Sequence, residues 1–583
     1  MKQRTILIIF VLSIAGWVAL RNAQGTRAAA KLPGSRVAAA DRATYLGRMK
    51  AGQRLDVTIS LGLRDRAGLE RLLDQLQDPI SPLYQRYLTM DEFAARYSPS
   101  GPDHARVIDW LRASGFTITD TWPNRLTIGA AGTVGEVESA FGVTMNRYLI
   151  DGLPVYAAAG LPSVPAEISH VVDGVIGLDS IYHFRTFSHR AQRGSRPTFE
   201  GKPPFGPPEF QKMYRMAVAP GVNDGLGQHI AVILWHSNIN TDDLKSFWAQ
   251  WGIDQKLGKV RLVPIDSTLP PFGQGDADGE LALDVQYASS FTAYSSQNAG
   301  AAGRPLSSTG PRVTVYLAKN SLPNAILKAE QRFLADAADG GGPRIASLSF
   351  GTGELTYSIR SAETAFFMNA AAMGRTVCVA SGDSGAYAGS TSFDQRAQVS
   401  WPASSPYVLA VGGTSVAVDP STLTLTNETV WKNRSGVWST GGASSGGGSS
   451  QLFTKPSWQT GMGIPGTDNR HVPDIALDAD PYSGYAVLSA GEWQAIGGTS
   501  ASTPSIASFL AGVNQQRKAA GKGYLGQVNA AIYELYRDQA DVVYRDITEG
   551  NNAKYKARTG YDRCTGVGSI RAGSLADVLV ARR

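Results

Sequence analysis

The chain of 583 residues is longer than one ordinary domain and predicts two to four domains. Its hydrophobic content of 43% and charged content of 18% are typical of a globular protein with enough apolar material for its cores. The net charge of +6 is spread along the chain without a Lys/Arg cluster, which argues against nucleic-acid binding.

Residues 1–25 have the pattern of an export signal. Lys2 and Arg4 form a short basic region, and the apolar stretch Ile6–Leu20 follows it. This stretch is shorter than the about 20 residues of a transmembrane helix, although an uncleaved anchor is an alternative interpretation. We therefore predict a secreted protein, with the periplasm as a second location, and no stable membrane association after processing.

Residues 40–187 predict a compact α+β domain. Leu55–Leu61 alternates apolar and polar residues, as a half-buried strand does. The leucines of Asp65–Gln77 recur at helical spacing. Further helices are predicted at Asp91–Tyr97, Pro102–Ser114 and Val134–Phe141, and further strands at Thr117–Thr119 and Arg125–Ile128.

Residues 188–208 interrupt this pattern with three arginines and five prolines and no apolar period. Such a composition predicts an exposed, cleavable linker. A domain, a linker and a larger second domain is the layout of many zymogens, but an ordinary interdomain hinge has the same composition.

Residues 209–583 alternate predicted strands and helices. Strands are predicted at His229–Leu234, Val313–Leu317, Ile345–Leu348 and Arg375–Ala380, and helices at Asp242–Trp251, Leu322–Ala338 and Thr356–Met373. This alternation predicts an α/β domain with a mostly parallel sheet and helices on both faces. Active sites in such sheets lie at the carboxyl ends of strands.

Three motifs in this second domain carry chemistry. Gly497-Gly-Thr-Ser500 precedes a helical run and delivers Ser500 to a helix start, with Pro504 expected in the first turn. Glu280 and Asp284 are spaced to share one helix face, where partial burial would let them share a proton. Asp383 follows an apolar strand between two glycines. Each motif alone also fits a structural role: an N-cap, an exposed acidic pair or a turn.

Together the three motifs, in this order, resemble the sedolisin family of serine-carboxyl peptidases, whose fold is similar to that of subtilisin. Further matching segments are Pro402–Thr414, Lys455–Gln459, Pro473-Asp474 and Ala479–Pro481. The resemblance covers nearly the whole chain and is kumamolisin-like. It implies a subtilisin-like peptidase domain at 209–583 and an activation propeptide at 40–187 that inhibits its own domain.

The resemblance implies that Ser500 is the nucleophile, Glu280 its general base, Asp284 the residue that orients Glu280, and Asp383 the oxyanion-hole residue. Glutamate, with a reference pKa of about 4.3, is a usable base in acid, where histidine is protonated. Asp383 can donate a hydrogen bond only when protonated, which also calls for acid. These roles predict a bell-shaped pH profile with an acidic optimum.

The seven histidines offer no competing base. A subtilisin-type triad places its histidine before Gly-Thr, and no histidine here precedes a glycine. Only His229, His236 and His471 lie in the predicted peptidase domain. We expect His229 and His236, at the ends of one strand, to be structural.

The resemblance also implies one structural Ca²⁺ near the C-terminus. Its ligands would be the side chains of Asp546 and Asp562 and the backbone carbonyls of Ile547, Arg558 and Gly560. Oxygen-rich turns suit this hard cation. Family members often have glycine where Arg558 stands, and two surface turns without a metal are the alternative.

Some features leave alternatives open. Cys378 and Cys564 could pair or remain free thiols. Leu234 and Phe350 stand where some family members carry an outer Glu and Trp, and Ser400 stands where some carry an acid, so preference for basic side chains is not expected. The predicted function is a secreted, monomeric acid endopeptidase acting on proteins or peptides. The alternatives are a tripeptidyl exopeptidase, a neutral subtilisin-like protease and a non-catalytic binding protein on this fold.

Overall fold

A computed structural model describes residues 29–32, 38–191, 203–296, 309–338, 340–355, 360–389, 396–434, 443–464, 466 and 468–583. The predicted export signal, residues 1–25, lies outside these ranges. Within them, no helix has both the length and the apolarity needed to cross a bilayer.

The described part of the N-terminal domain contains four helices, two larger antiparallel sheets and a two-stranded antiparallel pair, β1 with β8. The larger sheet has the strand order β4-β5-β3-β9, and the smaller one the order β2-β6-β7. The strands are β1 (Ala29–Lys31), β2 (Thr44–Arg48), β3 (Arg54–Leu61), β4 (Thr117–Thr121), β5 (Thr127–Thr133), β6 (Thr144–Ile150), β7 (Leu153–Ala159), β8 (Ser163–Pro165) and β9 (Val172–Ile176). The helices are α1 (Arg66–Gln77), α2 (Met90–Arg96), α3 (Gly101–Ala113) and α4 (Val134–Phe141), and a 3₁₀ turn spans Ala38–Arg42.

Local side chains set where these helices begin. Asp65 accepts a hydrogen bond from the Gly68 N–H and caps α1. Thr133 and Glu136 form a reciprocal capping box at the start of α4, which begins and ends at the predicted residues. The predicted α+β character of this domain is confirmed.

The N-terminal domain docks on the second domain through one apolar face. Leu69, Leu73 and Leu76 of α1 pack with Ala365 and Met368, which lie in a helix of the second domain. The helical spacing of these leucines therefore serves the interdomain contact as well as the helix itself.

Polar contacts surround this apolar face. The Lys328 ammonium, 6% exposed, lies 2.7 Å from Asp120 of β4 and 2.6 Å from Asp266. The buried Asn124 amide donates to Gln331 at 2.7 Å and to Asn369 at 3.0 Å. A buried amide with its partners on the other domain specifies one docking geometry, because any slip leaves polar groups unpaired.

The second domain alternates strands and helices, as predicted. After β10 (Arg185–Thr186) and β11 (His189–Arg190), its strands are β12 (His229–Trp235), β13 (Val260–Pro264), β14 (Arg312–Ala318), β15 (Ile345–Leu348), β16 (Phe350–Gly353), β17 (Thr376–Ala380), β18 (Ser400–Trp401), β19 (Leu409–Val418), β20 (Leu425–Val430), β21 (Lys432–Arg434), β22 (Ala443–Ser444), β23 (Gly448–Thr454), β24 (Asn469–Val472), β25 (Ile475–Asp478), β26 (Tyr485–Ser489), β27 (Glu492–Gly497), β28 (Tyr544–Arg545) and β29 (Ser569–Ile570). Its helices are α5 (Pro207–Met213), α6 (Thr241–Gln250), α7 (Asp278–Ser290), α8 (Pro323–Ala338), α9 (Arg360–Ala372), α10 (Thr499–Ala519), α11 (Asn529–Val543) and α12 (Ala572–Ala581), with 3₁₀ turns at Leu257–Lys259 and Ser457–Gln459.

The central sheet has the strand order β13-β14-β12-β15-β17-β19-β25-β29-β28, and β20 pairs with β19. Its pairs from β13 to β29 are parallel, whereas β28 and β20 run antiparallel to their neighbours. Helices α7 and α10 contact each other and the sheet, and a second touching pair, α8 and α9, packs against the sheet and the N-terminal domain. This is the predicted α/β architecture, with helices covering both faces of the sheet.

The segment predicted as an exposed linker, 188–208, differs from that expectation at both described ends. Residues 188–191 run along the second domain, where β11 pairs with β27. Residues 204–208 are buried, and the Phe205 N–H donates to the Gly484 carbonyl at 2.7 Å. A proline-rich composition does not reveal such contacts, because they depend on a distant partner. Residues 192–202 lie outside the described part.

We expect Leu73→Ala to lower the free energy of unfolding of the full-length protein by about 3 kcal/mol, because it leaves a cavity in the interdomain core. Urea denaturation at neutral pH, followed by tryptophan fluorescence, measures the change. Ile80→Ala is the control, since Ile80 is 91% exposed and its truncation should cost less than about 0.5 kcal/mol. Equal effects of the two substitutions would contradict the docking of α1.

Candidate active site

Ser500 lies in the first turn of α10. Gly498 precedes this turn with φ of +102°, and a side chain at that position would collide with the Phe187 carbonyl oxygen. The Ser500 hydroxyl donates to the Ser349 carbonyl at 3.2 Å and accepts from the Phe187 N–H at 3.1 Å. The helix begins earlier than predicted, so the expectation of Pro504 in the first turn is wrong; it lies in the second.

Glu280 lies on α7 and is 3% exposed. Its carboxylate faces the hydroxyls of Ser188 and Ser500, which are close enough to lower its pKa, although neither is aligned as a full hydrogen bond. Burial has the larger, opposite effect and raises the pKa of Glu280 to about 7. In the closed cleft this carboxyl is therefore protonated at acid pH, and it must lose that proton to act as a base at Ser500.

Asp284, one turn further along α7, is fully buried. Burial, and then the charge of Glu280, raise the pKa of Asp284 well above its ordinary value. The Ser349 hydroxyl donates to Asp284 at 2.6 Å, while the Ser349 carbonyl accepts from Ser500. Two buried carboxyls one turn apart hold a proton between them more readily than two charges.

Asp383 follows β17 and is also fully buried. Its Oδ1 accepts from the Thr499 N–H at 2.9 Å and from the Thr499 hydroxyl at 2.6 Å. Its Oδ2 lies 3.1 Å from His189 Nε2 and beside Gly498. The structure thus brings all four residues singled out from the sequence, Ser500, Glu280, Asp284 and Asp383, to one cleft at the carboxyl end of the sheet.

Residues 185–191 of the chain itself cross this cleft as an extended strand. Arg185 pairs with Gly351 and Thr186 with Phe350, and on the far side of Ser500 His189 pairs with Gly497. Antiparallel pairing on both sides is how a strand-like peptide is held by backbone hydrogen bonds. The segment therefore occupies the position of an extended peptide ligand.

The Phe187 side chain lies in a small pocket behind the nucleophile. It packs over Gly351 and Gly382, with Ser400 in the adjacent wall. A side chain at Gly351 would meet the Phe187 ring at 2.8 Å, which is closer than real contacts allow. Two glycines therefore open the space for one aromatic ring.

The contacts of the histidines agree with the prediction that none of them competes as the base. His229 contacts the Thr314 hydroxyl at 2.8 Å, His236 lies 3.2 Å from Asp276, and His471 contacts Ser449. All seven histidines lie in the described ranges, and only His189, from the segment in the cleft, reaches the four acidic and serine residues. It faces Asp383 rather than Ser500.

Sequence reasoning missed Ser349, Phe187 and His189. Ser349 carries no motif, and its role depends on the register between β15 and α10. Phe187 and His189 stand at the edge of a segment predicted as linker, so no local pattern marks them. Leu234 and Phe350, which stand where some family members carry an outer Glu and Trp, are fully buried. Phe350 packs against Trp235 and Phe184.

The residues predicted to bind Ca²⁺ converge on one pair of loops. The Gly560 N–H donates to Asp546 at 2.9 Å, which joins the loop after β28 to residues 558–562. Asp562 is 1% exposed, and its Oδ1 accepts from the N–H groups of Cys564 and Thr565. Burial raises the pKa of Asp562 to about 6.

Arg558 belongs to the same loop, where its guanidinium donates to the Tyr561 carbonyl at 3.2 Å. Within the described ranges, no cluster of three or more His, Cys, Asp or Glu side chains suits a metal ion. The donor set here consists of two carboxylates and backbone carbonyls, all oxygen, and it suits Ca²⁺ rather than zinc.

Cys378 and Cys564 are free and buried. Cys378 lies in β17 of the central sheet, whereas Cys564 belongs to a small cluster near the Asp562 loop. Of the two open alternatives, the structure favours two free thiols.

Comparison with known proteins identifies the family. Residues 41–181 match the model "Pro-kumamolisin, activation domain", and residues 292–568 match the subtilase family. Kumamolisin from Bacillus sp. (strain MN-32) is 32% identical, over 91% of this chain and 92% of its own. The chain belongs to the sedolisin family. It is therefore a serine-type peptidase with an activation domain, and thus a zymogen.

Two further relatives of the family bear on its activity. Sedolisin from Pseudomonas sp. (strain 101) is 30% identical over 92% of this chain and 88% of its own. Tripeptidyl-peptidase 1 from Rattus norvegicus is 27% identical over 84% of each chain. Among solved structures, Pseudomonas sedolisin complexed with pseudo-iodotyrostatin has a TM-score of 0.53 at 27% identity, covering 67% of this chain and 99% of its own.

Protonation of Glu280 should stabilise the fold. Its pKa is raised from 4.5 to about 7, so its stabilising contribution is complete below about pH 4.5 and is lost as the pH rises through 7. We expect Glu280→Gln in a Ser500→Ala background to reduce the loss of unfolding free energy between about pH 5 and pH 8 by about 2 kcal/mol.

Urea titrations of the two proteins at each pH measure this difference. Asp276→Asn is the control, because Asp276 is 60% exposed just before the same helix and should leave the pH dependence unchanged. Parallel curves for the Glu280→Gln protein and its parent would contradict the raised pKa.

Proposed function

We propose that this peptidase is an acid-active endopeptidase in which Ser500 is the nucleophile, Glu280 the general base and Asp383 the oxyanion donor. One observation carries the proposal: the buried Glu280 carboxylate faces Ser500, in a cleft where an extended segment of the chain already spans the nucleophile. A serine hydroxyl needs an adjacent base to become nucleophilic, and no histidine contacts Ser500 in the described residues.

In the first step Glu280 accepts the Ser500 proton as Oγ bonds to the substrate carbonyl carbon. Asp383, in its protonated form, donates a hydrogen bond to the oxyanion. Glu280 then returns the proton to the leaving nitrogen as the C–N bond breaks. In the second half of the reaction water attacks the acyl-enzyme, Glu280 takes a proton from that water, and Ser500 Oγ regains the proton as the ester bond breaks. Asp284, held by Ser349, would keep Glu280 oriented and share its proton.

The substrate strand in the cleft favours an endopeptidase over a tripeptidyl exopeptidase. Residues precede Arg185 and follow His189 without interruption, so the cleft accommodates chain on both sides of Ser500. An enzyme that released tripeptides would close the cleft three residues before the scissile bond. This feature supports the endopeptidase reading despite the similarity to tripeptidyl-peptidase 1.

The same segment suggests where activation begins. The Phe187 N–H contacts Ser500, and the Phe187 carbonyl oxygen lies over Gly498 beside Asp383. We therefore propose Phe187–Ser188 as the first bond cut, within one molecule. Export by residues 1–25, release outside the cell and a monomeric mature enzyme belong to the same proposal.

Ca²⁺ is proposed as a structural ion held by Asp546, Asp562 and the carbonyls of Ile547, Arg558 and Gly560. It would neutralise a buried carboxylate and fasten two loops. No step of the reaction passes through it, since the loops and Ser500 belong to different elements.

Acidification of the full-length zymogen from neutral pH to about pH 4 should release a fragment that ends at Phe187. Mass spectrometry identifies the new ends, and the rate should not depend on protein concentration if the cut is intramolecular. Ser500→Ala should abolish the reaction, and Glu280→Gln should slow it at least about a thousandfold.

The matched control is Asp276→Asn, which removes an exposed carboxylate just before the same helix and should leave the rate unchanged. Cleavage that persists in purified Ser500→Ala protein would overturn the assignment. Equal rates at about pH 8 and pH 4 would overturn the protonated Asp383 as the oxyanion donor.

Removal of Ca²⁺ by a chelator should lower the unfolding temperature of the protein by several degrees, because a bound ion stabilises only the folded state. Asp562→Asn should lower it similarly and make it insensitive to the chelator. Asp538→Asn, an exposed change on neighbouring α11, is the control. An unfolding temperature unaffected by both chelator and Ca²⁺ in all three proteins would contradict the site.

A further inference from the structure

His189 occupies a defined place in the cleft, two residues beyond Phe187. Its backbone pairs with Gly497 in the β11–β27 ladder, so the residue is held in register rather than by its side chain alone. If Phe187–Ser188 is the bond that faces Ser500, position 189 is the second residue after the scissile bond. Any peptide bound in the same register presents a side chain there.

The His189 side chain sits between an acid and an indole. Its Nε2 lies 3.1 Å from Asp383 Oδ2, and its ring centre lies 5.7 Å from that of Trp431. Trp431 is fully buried, whereas the imidazole is 30% exposed. The charged groups that face the imidazole are Asp383 and Glu280; burial alone would lower the pKa of His189, but these two acids raise it above its ordinary value.

This contact opposes the role proposed for Asp383. Its Oδ1 already accepts two hydrogen bonds from Thr499. An imidazolium 3.1 Å from Oδ2 forms an ion pair with the second oxygen, although the two groups are not aligned as a hydrogen bond, and favours the carboxylate form of Asp383. A carboxylate so occupied has no proton to donate to the Phe187 carbonyl oxygen. The segment is thus bound in the register of a substrate, without the donor that the oxyanion needs.

We propose that Asp383 and Trp431 form a subsite for the second residue after the scissile bond, and that a histidine bound there slows cleavage. This proposal rests on the proposed function. It makes residues 185–191 an inhibitor that is also a substrate, and it divides peptide substrates into two classes. Peptides with histidine at this position are cut slowly, and peptides with a neutral residue there are cut faster.

The test uses the full-length zymogen, its His189→Gln variant and an Arg190→Gln control. Arg190 is exposed and lies in the same strand, so its substitution changes the charge of the segment without changing the subsite. At about pH 6 we expect the His189→Gln protein to cut itself about tenfold faster than the other two, since a charge-assisted contact is lost.

A second measurement does not depend on how the variant folds. The processed wild-type enzyme is given two synthetic peptides with the sequence of residues 183–192, one with His189 and one with glutamine in its place. We expect kcat/KM at about pH 6 to be about tenfold lower for the histidine peptide.

The outcomes separate the two proposals. Equal rates for wild type and His189→Gln across the pH range, or equal peptide kinetics, overturn the subsite and leave the peptidase mechanism standing. Faster cleavage in both substituted zymogens overturns it too, because charge rather than the Asp383 contact would then matter. Absence of cleavage in every protein at every pH overturns the proposed function, and the subsite with it.

Discussion

Glu280 and Asp284 lie one turn apart on α7, enclosed by the central sheet, α10 and the segment in the cleft. Two carboxyls in such a place cannot both be charged without a large cost, because little solvent screens them. The position of α7 is set by its apolar side chains, which are buried all round, so the acids are carried into the interior by packing. The enclosed pair therefore binds a proton at pH values where exposed carboxylates are ionised.

The rest of the site is arranged around this pair. Ser349 joins Asp284 to the Ser500 hydroxyl, so the carboxyl that orients the base and the nucleophile are linked through one residue of the β15–β16 connection. The same connection continues into β16, which pairs with the segment in the cleft. The β15–β16 connection and β16 therefore both align the acids and bind the extended segment.

The sequence predicted the elements whose ends are set locally. Helix α4 was predicted to the residue, and Thr133 and Glu136 show why: its cap lies within the same few residues. The four residues of the cleft could be named because their motifs are local and ordered, although their convergence required the fold. Ser349, His189 and the buried residues 204–208 could not be found, since each acquires its environment from a partner hundreds of residues away or from a loop elsewhere in the chain.

Asp383 has two roles in the proposals: it contacts His189 of the segment in the cleft, and it serves the oxyanion. To hold the imidazolium of His189 it must be a carboxylate, and to serve an oxyanion it must carry a proton, so a single atom, Oδ2, cannot do both at the same time. Protonation of Asp383 would then remove the contact that holds the segment and supply the missing donor in the same event. Glu280 limits this from the other side, because it must lose its proton to act as a base. On the proposed mechanism, activity therefore requires that Asp383 carry a proton while Glu280 does not, and the burial that raises the pKa of Glu280 to about 7 in the closed cleft works against the base at acid pH.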